Sequence, residues 1–225
     1  MRHRQVPLTI IIGTFTLWRT PSIVVDILHR LAEQRAAKEF QVIGTQALFG
    51  YETITGYLLS CGGEPAIDVF TGSKDHLELW SESFVAEARL EKALQKVDGT
   101  FQKRHRMPNT FENNRGFKVH LITPATQHGA LGREGGAIWA HYLRASSATA
   151  NFTSSEVIVS SRGRMARMYL PTWPMAVLAM RHISANGAIA ERDAQLISAQ
   201  AEAIEQAYIA CHVHIPTFVE EALNK

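Results

Sequence analysis

The 225-residue sequence has few cysteines, no long hydrophobic run near its start and almost no net charge. Its two cysteines, Cys61 and Cys211, are too few for a disulfide scaffold, and their wide separation fits no zinc-binding pattern. The longest apolar run near the start, residues 8–12, is too short to span a membrane and is followed by no signal-peptide cleavage site. We therefore expect a soluble, cytoplasmic protein.

The charge balance gives little support to nucleic-acid binding. The chain contains 23 Lys and Arg residues against 21 Asp and Glu residues, which is a formal charge of +2. A chain so close to balance has no overall attraction for a phosphate backbone, so an RNA-binding role would depend on the local basic run at 103–106. The hydrophobic fraction of 46% excludes a wholly disordered chain.

Apolar spacing and turn residues predict alternating helices and strands. The predicted helices are at 21–38, 45–59, 81–97, 171–183 and 192–210. The predicted strands are at 40–43, 66–70 and 117–123, with a hairpin at 156–161 and 164–170. This order predicts an α/β or α+β fold with a core at 20–125, a hairpin and helical C-terminal region at 126–225 packed on that core, and an N-terminal arm or extra strand at 1–19.

Gly44 and Thr45 lie between the first predicted strand and the next helix, in the segment VIGTQALFGYE at 42–52. Glycine at such a turn lets backbone amides approach a phosphate group, and the positive end of the following helix favours the anion. An ordinary strand-to-helix turn with Thr45 as the helix cap fits the same residues. The residues alone leave both interpretations open.

Further short blocks follow the first one in a fixed order. They are IDVF at 67–70, LQKVDGTFQKR at 94–104, GFKVHLITP at 116–124, RMYLPTWPMAVLAM at 167–180 and ERDAQLISAQAEA at 191–203. This order resembles a bacterial nucleotidyltransferase-like family with the DNA polymerase beta-type fold, whose blocks read VGTNALYAYE, DVDL, GFMVDLI and PDPRAFALHK. The resemblance covers about residues 40–205 and implies a mixed sheet flanked by helices, with a helical C-terminal part.

The resemblance implies transfer of a nucleotide from an NTP with the help of Mg²⁺ or Mn²⁺. Two carboxylates at positions i and i+2 of one strand share a face, a neighbouring strand supplies a third, and together they hold the cations. Gly44 and Thr45 match the phosphate-binding turn of the family. Arg181 lies one position beyond 179–180, where Ala-Met replaces a His-Lys pair of the family, and it is the remaining candidate for contact with the nucleotide.

The expected metal ligands are incomplete in this sequence. Asp68 matches one of the paired carboxylates, and His120 stands where the third is expected. Glu64, Asp75 and Glu78 lie nearby, but their spacing does not restore the pair. Judged from their neighbours alone, Asp68 fits a carboxylate that caps a backbone amide, and His120 fits a hydrogen-bonded core histidine.

Two functions follow from these departures. The first is a catalytically impaired, degenerate member of the family, a nucleotide-binding or protein-interaction module that needs no metal ion and binds a partner protein or a second copy of itself. The second is an active nucleotidyltransferase that transfers NMP from an NTP to a nucleic acid, a protein or a small molecule. In the second case Asp68 holds the metal ion with Glu64, Asp75 or His120.

Overall fold

The computed structural model describes residues 20–61, 64–65, 76–83, 85–105, 109–123, 153–186 and 191–211. These residues form five α-helices: α1 (Ser22–Glu33), α2 (Ala47–Thr55), α3 (Ala86–Val97), α4 (Trp173–Ala185) and α5 (Glu191–Ala210). Short 3-10 helices cover Ala37–Glu39 and Gly44–Gln46. The strands are β1 (Gln41–Ile43), β2 (Ser60–Cys61), β3 (Glu64–Pro65), β4 (His76–Trp80), β5 (Gln102–Lys103), β6 (Thr110–Glu112), β7 (Lys118–Ile122), β8 (Thr153–Val159) and β9 (Met165–Pro171).

Five strands form a mixed sheet in the order β1-β4-β7-β6-β5. β4 and β7 run parallel, and the other neighbouring pairs are antiparallel. The chain between β4 and β7 contains α3, as expected because parallel neighbours need a long crossover connection. β2 with β3 and β8 with β9 form two separate antiparallel pairs. The predicted α/β class, a mixed sheet flanked by helices, is confirmed.

The core consists of one continuous cluster of buried apolar side chains. Alternate residues of the two central strands, Leu77 and Leu79 on β4 and Val119 and Leu121 on β7, are at most 1% exposed. A strand places alternate side chains on one face, so these four cover one face of the sheet. The opposite face carries polar side chains at the first two same-face positions of each strand and the apolar Trp80 and Ile122 at the third, and the polar part positions the candidate site.

A second group of contacts joins α2 to the C-terminal half of the described chain. A Cβ at Gly50 would overlap Leu170 Cδ1, because α2 lies close against β9. The Tyr51 hydroxyl donates to the backbone oxygen of Pro171 at 2.8 Å. The ring of Trp173 stacks on Tyr208 of α5 with a centroid distance of 4.9 Å. The hairpin and α5 therefore pack on α2, and α4 packs on α5.

Several predicted element boundaries were wrong for local reasons. The helix predicted at 21–38 ends at Glu33, because Arg35 takes a left-handed φ of +57° and the Ala36 amide bonds to Leu31 O. The helix predicted at 45–59 ends at Thr55, where Gly56 has a φ of +70° and its amide bonds to Glu52 O. The hairpin strand predicted at 156–161 begins three residues earlier, because residues 153–155 pair with β9.

Other predictions fall outside the described residues, and one strand of the sheet was not predicted. The strand predicted at 66–70 and the arm at 1–19 lie outside them. The strand between β1 and β7 is His76–Trp80, for which no strand was predicted. Within the described part of the chain, no helix is both long and apolar enough to cross a membrane.

Candidate functional site

The turn after β1 is built around a glycine in a left-handed conformation. Gly44 has a φ of +66°, and the 3-10 helix Gly44–Gln46 leads directly into α2. A Cβ at Gly44 would overlap the carboxyl oxygen Oε2 of Glu78. The backbone angle favours glycine, and any larger residue would also displace the Glu78 carboxyl group, because the turn lies directly against it.

Thr45, the next residue of the turn, is held by the last described helix. Gln200 of α5 is 5% exposed, and its amide nitrogen Nε2 lies 2.6 Å from Thr45 Oγ1. This hydrogen bond joins residues 155 positions apart in the chain. The C-terminal helix is therefore part of the surroundings of the turn.

A polar row crosses the sheet beside the turn. Glu78 pairs with Ile43 of β1 on one side and with His120 of β7 on the other, and His120 pairs with Thr110 of β6. Glu78, His120 and Thr110 are 6%, 8% and 1% exposed. His76, two residues before Glu78, lies on the same face of β4, and its ring centroid is 6.0 Å from that of His120.

Glu78 is a buried carboxyl group. No hydrogen bond or ion pair joins its carboxyl group to any other residue that the structure describes. Burial raises its pKa from 4.5 to about 7, because removal from water disfavours the charged form. A substantial share of the molecules therefore carry a neutral Glu78 at neutral pH.

His120 is neutral at the same pH. Its Nδ1 lies 3.1 Å from the Thr110 hydroxyl. Burial, followed by the charges of His76 and Lys118, lowers its pKa to about 4. Lys118 pairs with His76 in the parallel ladder and shares its face, so a positive charge stands next to the polar row.

Comparison with known proteins identifies the family. A nucleotidyltransferase family model matches residues 22–210, more than four fifths of the chain. The chain belongs to this nucleotidyltransferase family. No curated protein and no solved structure matches it. The match includes the glycine turn, the five-stranded sheet and α5, which contain the candidate site of this nucleotidyltransferase-family chain.

The side chains that the structure brings together do not form a cage for Mg²⁺. Across the described ranges, no group of three or more His, Cys, Asp or Glu side chains is arranged to hold a metal ion. The polar row offers one carboxyl group and two imidazoles, whereas Mg²⁺ takes oxygen ligands. The described donors of this nucleotidyltransferase-family site therefore do not fit a pair of Mg²⁺ ions held by three carboxylates.

The structure brings some of the predicted site residues together and places others elsewhere or outside the described residues. Gly44 and Thr45 form the turn, and His120 lies in the polar row beside it. Arg181 is on α4, where its guanidinium forms an ion pair with Glu205 of α5. Asp68 lies outside the described residues.

Sequence reasoning missed three residues of this site and set a fourth aside. His76, Lys118 and Gln200 were not considered, and Glu78 was mentioned only as a nearby acid. The segment His-Leu-Glu-Leu-Trp at 76–80 alternates polar and apolar residues, which is the signal of a half-buried strand. That signal could have identified β4, whereas nothing local to Gln200 indicates its contact with Thr45.

Proposed function

We propose that this member of the nucleotidyltransferase family binds a nucleoside triphosphate at the Gly44–Thr45 turn and is impaired in nucleotidyl transfer. One observation carries the proposal. Two same-face positions of β4 hold His76 and Glu78, and the residue of β7 that pairs with Glu78 is His120. The resemblance implies a carboxylate where His120 stands, and it places the paired carboxylates of the family in the segment that contains Asp68, outside β4.

The proposed binding contribution comes from the turn and its surroundings. The left-handed Gly44 leaves room for backbone amides to reach a phosphate, and the nine-residue α2 starts immediately after the turn. Lys118 adds a positive charge on the same face as His120. The Thr45 hydroxyl is a hydrogen-bond donor at the turn.

The proposed impairment follows from the protonation of the polar row. Nucleotidyl transfer with two cations needs carboxylates that stay charged next to the metal ions. Burial keeps Glu78 largely neutral below pH 7, and His120 supplies a neutral nitrogen in place of an oxygen. We therefore expect nucleotide binding to be retained while transfer is slow or absent.

An active nucleotidyltransferase is the second candidate, and membership of the family is the observation that favours it. In that case Asp68 would act as a metal ligand with Mg²⁺ or Mn²⁺. NMP would pass to a nucleic acid, a protein or a small molecule.

A label-transfer assay separates the two candidates. The full chain is incubated with each α-labelled NTP and Mg²⁺ or Mn²⁺, and total RNA, tRNA and the protein itself are offered as acceptors. We expect no transfer above the background of a heat-inactivated sample. Transfer that disappears in Asp68→Ala but persists in Glu202→Gln, an exposed control, would contradict the proposed impairment.

A further inference from the structure

The amide of Gln200 fixes which groups of Thr45 remain available at the turn. A Gln Nε2 group can only donate hydrogen bonds, so the Thr45 oxygen is the acceptor in the 2.6 Å contact between them. A hydroxyl can accept such a bond and still donate its own proton. Within the described residues, Thr45 Oγ1 makes no other hydrogen bond, so its proton is not used there.

Burial makes this contact more than a surface contact. Only 5% of Gln200 is exposed, and its position on α5 places its side chain against the turn. Leaving a buried amide without a hydrogen-bond partner is unfavourable, so this hydrogen bond has a persistent geometry. The Thr45 hydroxyl is therefore oriented before any ligand arrives.

We propose that Gln200 is a positioning residue, which holds Thr45 so that the Thr45 hydroxyl donates to a phosphate oxygen of the bound nucleotide. This inference rests on the proposed function, because it assumes that phosphate occupies the turn. Gln200 itself does not touch the nucleotide. Its contribution passes through Thr45, and it makes α5 a part of nucleotide recognition.

A double-mutant cycle tests this dependence. The variants are Thr45→Val, Gln200→Met and the two combined, with Gln195→Met as a control at an exposed position of the same helix. The dissociation constants of ATP, GTP, CTP and UTP are measured by calorimetry, and the thermal midpoint of each variant is recorded. Loss of a hydrogen bond to a charged phosphate weakens binding by about 10- to 100-fold, and we expect this for Thr45→Val.

The decisive result is the effect of Gln200→Met in the two backgrounds. If Gln200 acts through Thr45, Gln200→Met weakens binding by about fivefold or more in the wild-type background and by less than about twofold in Thr45→Val. An equal loss in both backgrounds would mean that Gln200 only packs α5, and would overturn the inference alone. No binding of any of the four nucleotides by the wild type would overturn the proposed function and this inference with it.

Discussion

Replacing Glu78 with Gln should make the free energy of unfolding less dependent on pH. As the pH rises from 4.5 to 8, the variant should become more stable relative to the wild type by about 3 kcal/mol. The native pKa of Glu78 is about 7, above the ordinary value of 4.5. A carboxyl group whose native pKa is raised stabilises the fold below its unfolded pKa, and this contribution is lost as the pH rises to the native pKa. Gln has nearly the same shape and cannot ionise, so position 78 of the variant causes no loss of stability as the pH rises.

His120 makes the comparison with the variant necessary. Its native pKa of about 4 lies below the ordinary 6.5, so its contribution is present above pH 6.5 and is lost as the pH falls towards 4. Between pH 4.5 and 6.5 the two residues change stability in opposite directions. The free energy of unfolding of the wild type therefore changes less with pH over this range than either residue alone would make it change. Removing the Glu78 carboxyl group leaves the change that His120 causes.

Urea denaturation of wild type, Glu78→Gln and the exposed control Glu202→Gln at pH 4.5, 5.5, 6.5 and 8 measures this difference. We expect the Glu78→Gln curve to diverge upward from the wild type, and the control to stay parallel to it. Parallel curves for wild type and Glu78→Gln would show that Glu78 is not buried beside the turn, and would remove the main support for the proposed impairment.

Gly44→Ala is expected to be among the most destabilising substitutions in the described chain. The new methyl group would overlap Glu78 Oε2, and alanine would have to adopt a φ of +66°. The left-handed conformation costs about 1–2 kcal/mol, and overpacking adds about 1–3 kcal/mol. Either the turn or the Glu78 carboxyl group would have to move, and the strained backbone at position 44 should abolish nucleotide binding as well.

Gly163 supplies a matched control for the backbone term. It has a φ of +75°, and a Cβ there would meet nothing within 4 Å. Gly163→Ala should therefore show the conformational cost without the overlap. Urea denaturation should give Gly44→Ala the larger loss, and adding Glu78→Ala should reduce the effect of Gly44→Ala to that of Gly163→Ala. Equal losses at the two glycines would contradict the close contact between the turn and Glu78.

The sequence predicted those parts of the fold that depend on local signals. Proline at position 21 and the apolar spacing after it predicted α1, and the valine and isoleucine of β1 followed by Gly44 predicted the turn. β4 was missed because His76 and Glu78 interrupt its apolar residues and leave only a short alternation. The resemblance placed the paired carboxylates in the IDVF block instead, since that block contains Asp68.

The site itself depends on contacts between residues far apart in the chain. The contact of Gly44 with Glu78 exists because β4 pairs with β1, and the contact of Thr45 with Gln200 exists because α5 packs on α2. Neither residue pair carries a local signal. Burial, which changes the protonation of Glu78 and His120, is also a property of the packed sheet and not of their sequence neighbours.

The most direct test of the account is a calorimetric titration of each NTP into the wild-type protein and Gly44→Ala, with Mg²⁺ and with a chelator. The account predicts that at least one NTP binds the wild type with dissociation constants that agree within about threefold, or about 0.7 kcal/mol, in the two conditions. It also predicts no binding to Gly44→Ala. Binding that requires Mg²⁺, or unchanged binding to a folded Gly44→Ala, would contradict a metal-independent nucleotide site at this turn.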